Sequence, residues 1–202
     1  PQGNSTSGLG INKKGLEFSS YSVLIGSCQA NQAIVQTPYQ NVYVMPSSMD
    51  LAGAELELVE FQKRESRLRN ALATVKDEFD FIFLDCPPSL GLITLNGLCA
   101  ADTLMVPIQC EFYALEGLSQ LMNTIKLVVK HLNASLKIEG VVLTMSDNRA
   151  IISIQISAEI KKFFGKRVYD TVIPRNIRVS EAPSHGVPIM LHDTKCVGAK
   201  TY

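Results

Sequence analysis

The stretch DFIFLDCPPSLGLITLNGLCAADTLMVPIQCE, residues 80–111, decides the fold class of this chain. It begins with an apolar run, Phe81–Leu84, and that run ends on the carboxylate of Asp85. A loop with two prolines and a glycine follows, then a short helical pattern near residues 92–100 and a second apolar run, Thr103–Ile108. Two apolar strands joined by a helix are typical of a parallel sheet that helices cover.

The same alternation of strand and helix patterns continues on both sides of that stretch. Helices are predicted at about 16–35, 51–77, 92–100, 114–132 and 151–164, and strands at 41–45, 80–85, 103–108, 138–145 and 167–173. Several of these strands are almost entirely apolar, as strands buried on both faces are. We therefore predict an α/β fold, a doubly wound and mostly parallel sheet with helices on both faces, in a single domain over residues 1–202.

Asp85 is the strongest candidate for a functional residue. It is predicted at the carboxyl end of a buried parallel strand, which is the edge where open α/β sheets bind their ligands. A carboxylate at this position commonly holds Mg²⁺ in nucleotide hydrolases, directly or through water. The alternative reading of the same residue is that its carboxylate caps the helix that follows.

The composition is that of a globular protein with a sizeable core, with 46% hydrophobic and 19% charged residues. No apolar run approaches the roughly 20 residues that a membrane helix needs. The five cysteines form no CxxC pair, which favours free thiols in a reducing cytoplasm over a metal cluster. The net charge is zero, but basic residues outnumber acidic ones after residue 160. That asymmetry is compatible with a basic face or with an ordinary solvated surface.

Four longer motifs resemble the ParA/Soj family of chromosome- and plasmid-partitioning ATPases, which are relatives of MinD with a deviant phosphate-binding loop. In chain order they are PQGNSTSGLG (1–10), FIFLDCPPSLGLITLNGL (81–98), VPIQCEFYALEGLSQL (106–121) and IPRNIRVSEAPSHGVPIMLHD (173–193). The resemblance covers essentially the whole chain and keeps the family's order and spacing. It implies the P-loop NTPase-like version of the predicted fold.

The resemblance also implies a function. ATP and Mg²⁺ would be the cofactors, and ATP would drive formation of a homodimer. The dimer would bind DNA without sequence preference, and a ParB/Spo0J-type partner would stimulate hydrolysis. The protein would be cytoplasmic, associated with the nucleoid, and would not bind membranes.

The family's phosphate loop, together with its first strand, first helix and second strand, is expected upstream of Pro1. A final helix is expected after Tyr202. By this comparison the chain is truncated, and we expect it to be inactive and poorly stable on its own, because a central strand missing from a parallel sheet would expose backbone and apolar surface.

The resemblance assigns roles to individual residues. Asp85 would position the Mg²⁺ shell beside the β- and γ-phosphates, as the catalytic and metal-binding carboxylate. Pro174, Arg175 and Asn176 would lie beside the adenine and ribose, and Met145 would lie near the base at another strand end. The alternative for 174–176 is an ordinary structural loop.

A group of basic residues near a helix end is the candidate DNA-binding surface. Contacts from such residues would go to phosphates and would weaken with salt. Basic residues at a helix carboxyl end also suit the helix dipole without any ligand, and this is the alternative. The group consists of Lys161, Lys162, Lys166, Arg167 and Lys195.

Two other functions stay open at the level of sequence. A MinD-like membrane-cycling ATPase would need an amphipathic helix at its carboxyl end, and the motifs PQGN and SEAPSHG favour the partitioning branch over it. The alternative from another class is a non-enzymatic regulator that naturally lacks the phosphate loop and acts by binding DNA or a partner ATPase.

Overall fold

The computed structural model describes residues 2–202 and divides the chain into two compact units. The first unit comprises the described residues through Ala101 together with Pro183–Val187, and the second comprises Asp102–Ala182 and Pro188–Tyr202. Within residues 2–202, none of the helices combines the length and the apolar character needed to cross a membrane.

The first unit is built from short helices and a small antiparallel pair of strands. The helices are α1 (Asn4–Gly8), α2 (Ser20–Ile25), α3 (Asp50–Leu58), α4 (Arg67–Leu72) and α5 (Leu92–Ala100), and the strands are β1 (Val35–Gln36) and β2 (Tyr43–Val44). Turns of 3₁₀-helix lie at Ala30–Ala33, Arg64–Ser66 and Lys76–Glu78. Helices α2, α3 and α5 pack together through a buried apolar cluster that includes Leu24, Leu58 and Ile93.

The prediction of one long helix over 51–77 is wrong, because this segment forms two separate helices, α3 and α4. Helix α3 ends at Leu58, and Lys63, which has a left-handed φ of 52°, prevents the segment before Arg64 from continuing as a helix. The fully buried side chain of Asn96 in α5 then satisfies the broken backbone. Its amide nitrogen donates to the Arg64 carbonyl at 2.9 Å, and its oxygen accepts from the Leu68 amide at 3.1 Å.

Two further elements of the first unit differ from the prediction. The helix predicted over 16–35 is reduced to α2, because Gly26 takes a left-handed φ of 83° and its N–H closes the helix on Ser22 and Val23. The prediction of a strand over 80–85 is also wrong, because within residues 2–202 no strand pairs with this segment. A strand persists only where its backbone groups find a neighbouring ladder.

The second unit is a parallel sheet with helical crossovers. Its strands are β3 (Thr103–Gln109), β4 (Lys137–Ser146) and β5 (Val168–Pro174), and they pair in chain order, β3 with β4 and β4 with β5. Its helices are α6 (Ala114–His131), α7 (Ile151–Phe164), α8 (Ile177–Glu181), α9 (Ile189–His192) and α10 (Val197–Thr201). A turn of 3₁₀-helix follows α7, at Gly165–Arg167. Another, Ala182–His185, follows α8 and belongs to the first unit from Pro183 onward.

The core of the second unit lies between the sheet and helices α6 and α7. Val141 and Leu143 of the central strand are fully buried there, with Leu118 of α6 and Ile160 of α7 in the same cluster. The strands and helices predicted between residues 103 and 174 are confirmed, with bounds that differ by at most two residues. The parallel sheet and the α/β class are confirmed with them.

Candidate functional site

Asp85 lies in an irregular segment of the first unit, and its side chain is exposed. The hydroxyl of Ser5, in α1, donates a hydrogen bond to the Asp85 carboxylate. Two of the motifs, PQGNSTSGLG and FIFLDCPPS, therefore meet at a pair of oxygen-bearing side chains. Carboxylate and hydroxyl oxygens are the ligands that Mg²⁺ prefers.

The surroundings of Asp85 fit a magnesium ion that is shared with a ligand. Within the described part of the chain, no three His, Cys, Asp or Glu side chains are grouped so as to hold a metal. Mg²⁺ rarely needs such a cage, because it keeps several waters and binds through one or two carboxylates and the phosphates of a substrate. A single exposed carboxylate with an orienting hydroxyl matches that mode of binding.

The loop after the candidate carboxylate is fixed to the first turns of α5. The hydroxyl of Thr94, which is only 5% exposed, donates to the Ser89 carbonyl at 2.5 Å and lies 3.4 Å from the Pro87 carbonyl. Gly97 lets the thiol of Cys86 approach closely, since a Cβ at Gly97 would lie only 2.6 Å from that sulfur. The loop is thus held at both of its ends.

Two glycines of the PQGNSTSGLG motif, Gly3 and Gly10, lie close to the backbone of other segments. A Cβ at Gly3 would lie 2.3 Å from the Ser47 carbonyl oxygen, and Gly3 has a φ of +64°. Gly10 and Gly186, both with positive φ, meet so closely that a Cβ on Gly186 would lie 3.2 Å from the Gly10 Cα. The Tyr39 hydroxyl also donates to the Gly186 carbonyl at 3.2 Å. Gly10 of the PQGNSTSGLG motif and Gly186 of the SEAPSHG motif therefore meet within the first unit.

The residues expected near the base lie at adjacent strand ends of the second unit. Ser146 at the end of β4 is in register with Pro174 at the end of β5, and the Arg175 amide donates to the Ser146 carbonyl at 3.1 Å. Met145, next to Ser146, has a positive φ of 51°. The structure thus places Met145 and the 174–176 segment at adjacent strand ends.

Asn176 also has a structural role, because its side-chain oxygen caps the amino end of α8. That oxygen accepts from the backbone amides of Arg178 at 2.9 Å and Val179 at 3.3 Å. A hydrogen bond from this side chain to a ligand would therefore come from its amide nitrogen.

Two ion pairs lie beside the carboxyl ends of the strands. Arg175 pairs with Glu111, which follows β3, and both side chains are about half exposed. Arg149 donates to both carboxylate oxygens of Asp147 at 3.0 Å, and its backbone amide donates to the same carboxylate. The side-chain and backbone hydrogen bonds from Arg149 lower the pKa of Asp147 to about 2, and the charge of Arg175 contributes. This edge of the sheet is therefore strongly charged and polar.

A cleft of about 590 Å³ opens in the second unit. Ser146, Asn148 and Pro174 line it at the strand ends, and Ser157 and Lys161 line it along α7. Its walls offer apolar surface together with hydroxyl, amide and ammonium groups, which is the usual make-up of a small-molecule site.

The expected DNA-binding residues are all exposed. Lys161 and Lys162 lie in the last turn of α7, and Lys166 and Arg167 lie in the 3₁₀ turn that follows. Lys195 lies in the turn before α10, where its backbone amide bonds to the Asp193 carboxylate at 3.1 Å. The first four therefore form one continuous basic group around the end of α7.

Comparison with known proteins places this fold and these motifs in a family. The AAA domain family model matches residues 1–138. The sporulation initiation inhibitor protein Soj of Bacillus subtilis is 54% identical over 202 residues, which cover 100% of this chain and 80% of that protein. The chromosome partitioning protein ParA of Myxococcus xanthus is 48% identical over 100% of this chain and 71% of that protein.

A similar solved structure is cobyrinic acid a,c-diamide synthase from Mycobacterium smegmatis, with a bound ATP analog and magnesium. It is 36% identical, with a TM-score of 0.81 over 96% of this chain and 77% of that one. Fold and motifs together define an α/β nucleotide hydrolase. The chain belongs to the Soj/ParA family of chromosome-partitioning ATPases, as the sequence resemblance predicted.

Family and fold class are confirmed, whereas the roles of the individual site residues and the single domain over residues 1–202 stay predictions. The Ser5 hydroxyl that bonds Asp85 and the Asp147–Arg149 pair were not predicted from the sequence. No spacing rule connects Ser5 with a carboxylate 80 residues away. The Asp147–Arg149 pair has a local signal, since a carboxylate and a guanidinium two residues apart flank a turn.

Proposed function

We propose that the gene product containing these 202 residues hydrolyses ATP, with Asp85 positioning the magnesium ion. The hydrogen bond from Ser5 to Asp85 carries this proposal, because it joins two family motifs at an exposed carboxylate suited to Mg²⁺. Mg²⁺ would neutralise charge on the β- and γ-phosphates. Asp85 would hold the ion's shell and Ser5 would fix the direction of the carboxylate.

The base and ribose would lie at the strand ends of the second unit. Met145, Pro174, Arg175 and Asn176 are the residues expected there. The close approach of the β4 and β5 ends and the cleft that Pro174 lines support this assignment. The Asn176 amide nitrogen and the Arg175 guanidinium would supply the hydrogen-bond donors.

Hydrolysis by the gene product tests the role of Asp85. We expect Asp85→Asn to lower the rate of ATP hydrolysis about a hundredfold, since it removes the charge that holds the metal. The matched control is Asp80→Asn, an exposed carboxylate five residues earlier in the same segment. Equal rates for Asp85→Asn and wild type would refute the proposed role.

We further infer that the ATP-bound protein forms a homodimer that binds DNA without sequence preference and that a ParB/Spo0J-type partner stimulates hydrolysis. It would act in the cytoplasm, at the nucleoid, without binding membranes. Membership of the Soj/ParA family and the continuous exposed basic group at the end of α7 support this inference. Dimer formation is checked by light scattering with and without Mg²⁺–ATP, and stimulation by adding a purified ParB/Spo0J-type protein.

Binding to DNA should depend on salt in proportion to the number of phosphates that the protein neutralises. Removing the charges of Lys162 and Lys166 together should reduce the slope of log affinity against log salt by about 0.9 for each phosphate that is no longer neutralised. Lys126→Gln, which removes an exposed lysine from α6, is the control and should leave the slope unchanged. An unchanged slope in the Lys162/Lys166 double variant would exclude this basic group as the DNA-binding surface.

A further inference from the structure

A separate cavity of about 400 Å³ lies in the first unit, between the end of α2 and one face of α4. Gly26 and Cys28 line it from the α2 side, and Arg67, Asn70 and Thr74 line it from the α4 side. None of these residues belongs to the proposed nucleotide site. Arg67 and Asn70, three residues apart in α4, lie on one helical face, and Thr74 lies in the turn that follows this helix.

Arg67 is held firmly at the edge of this cavity. Its Nε donates to the Leu24 carbonyl at the end of α2, and its guanidinium lies over the Phe61 ring at 4.2 Å from the ring centre. A hydrogen bond and a cation–π contact together fix the plane of the guanidinium before any ligand arrives. Binding a ligand there would therefore cost little of the side-chain entropy of Arg67.

The outer edge of the guanidinium remains available. Among residues 2–202, no hydrogen-bond acceptor faces the two terminal nitrogens of Arg67, and no acidic side chain lines the cavity. Asn70 is exposed one helical turn further along the same face and offers an amide donor. The cavity thus presents the fixed, positively charged guanidinium of Arg67 and the neutral amide donor of Asn70, and its lining contains no negative charge.

We propose that this cavity binds the carboxylate of a small organic acid, a function separate from the proposed ATPase site. The two terminal nitrogens of Arg67 receive the two carboxylate oxygens side by side, as planar guanidinium groups do. The Asn70 amide adds a third hydrogen bond, and the volume is in the range of small-molecule sites. One cation matches the single charge of a carboxylate better than the double charge of phosphate.

Cys28 provides a reporter inside the cavity. Burial raises the pKa of its thiol, so its absolute rate of alkylation is low, but the ratio of two alkylating rates is independent of the thiolate fraction. Iodoacetate carries a carboxylate and iodoacetamide does not. The proposed experiment compares the alkylation rates of the two reagents at each cysteine of the protein by peptide mass spectrometry.

We expect the ratio of the iodoacetate rate to the iodoacetamide rate to be about tenfold higher at Cys28 than at Cys86, which is exposed and outside the cavity. Because the Asp85 carboxylate beside Cys86 also disfavours iodoacetate, the deciding comparison is the Cys28 ratio with and without the Arg67 guanidinium. Succinate should slow the reaction of iodoacetate at Cys28 and leave Cys86 unaffected. Inorganic phosphate at the same concentration should protect Cys28 much less.

Two variants connect the effect to the cavity. Arg67→Met should lower the Cys28 ratio about tenfold relative to the wild type. Asn70→Asp places a negative charge in the cavity at an exposed helix position and should have the same effect without removing the Arg67–Leu24 hydrogen bond. Arg167→Met, at an exposed arginine of the second unit, is the control and should leave the ratio high.

The proposal is overturned if the ratios at Cys28 and Cys86 are equal in the wild-type protein, and Arg67 then serves only to cap α2. It is also overturned if Asn70→Asp leaves the Cys28 ratio high. Equal protection by phosphate and succinate would show a general anion site and would contradict the carboxylate assignment.

Discussion

The sheet of the second unit and the segment 80–85 of the first unit contrast sharply, although the sequence predicts apolar strands in both. Val141 and Leu143 in β4 are fully buried between two neighbouring strands and two helices. Phe81 and Phe83 are 80% and 85% exposed, in a segment without a strand partner among residues 2–202. An apolar pattern therefore specifies a tendency to pair, and a neighbouring strand decides whether a strand forms.

The largest expected effect contrasts the two regions directly. Leu143→Ala should reduce the free energy of unfolding by about 3 kcal/mol, because it opens a cavity in a fully packed core. Phe83→Ala should change it by less than about 0.5 kcal/mol, because that ring is already in water. Urea denaturation of both variants measures the difference. Comparable losses of stability would show that residues 80–85 are packed in solution and would remove the contrast.

The next effect tests how the helices of the first unit are held together. Asn96→Ala should cost about 2 kcal/mol, because the Arg64 carbonyl and the Leu68 amide lose a buried partner. Asn123→Ala, at an exposed position of α6, is the matched control and should be nearly neutral. A neutral Asn96→Ala would mean that the break between α3 and α4 does not depend on this side chain.

A smaller and local effect concerns the strand ends. Asn176→Ala should cost about 1 kcal/mol through loss of the α8 cap. Hydrogen exchange at the Arg178 and Val179 amides should speed up, because these are the groups that the cap protects. Asn148→Ala, at an exposed turn position, should leave both exchange rates as they are.

The smallest effect is a titration. The pKa of Asp147 is about 2, below its usual 3.8, because Arg149 bonds the charged form. A carboxyl whose pKa is lowered on folding stabilises the fold above its ordinary pKa, and that contribution is lost as the pH falls from about 4 to about 2. In Arg149→Ala the pKa of Asp147 should return toward 3.8, as observed by carbon NMR of the carboxyl group. A pKa that stays near 2 in this variant would assign the shift to another group.

Residues 103–174 of the second unit could be predicted from the sequence because each strand there has its partners close by in the chain, whereas the short helices α8, α9 and α10 were not predicted. The positions of β3, β4 and β5 follow from apolar runs, and α6 and α7 follow from helical spacing between them. In the first unit, α5 matches the helix predicted at about 92–100 and β2 lies within the strand predicted over 41–45. The helices predicted over 16–35 and 51–77 and the strand over 80–85 are wrong, because this unit depends on contacts between distant residues. Asn96 bonds the Arg64 carbonyl, in the turn between α3 and α4, and the Leu68 amide in α4. Ser5 bonds Asp85. Neither contact leaves a periodic signal in the sequence.

The candidate site, too, could be predicted from the sequence only in part. The strand-end residues Met145 and Pro174 are expected together and lie at adjacent strand ends, because parallel strands end at a common edge. The hydrogen bonds between Asn176 and α8 and the pairing of Arg175 with Glu111 have no such signal in the sequence. They depend on side-chain directions that the spacing of residues does not specify.

The most direct test of the central claim is the dependence of ADP binding on Mg²⁺, measured by isothermal titration calorimetry on the gene product. In the wild type and in the Asp80→Asn control, Mg²⁺ should strengthen ADP binding by at least about tenfold. In Asp85→Asn this gain should disappear, while binding of metal-free ADP stays the same. If Asp85→Asn retains the full gain from Mg²⁺, Asp85 does not position the metal and the account of this site is wrong.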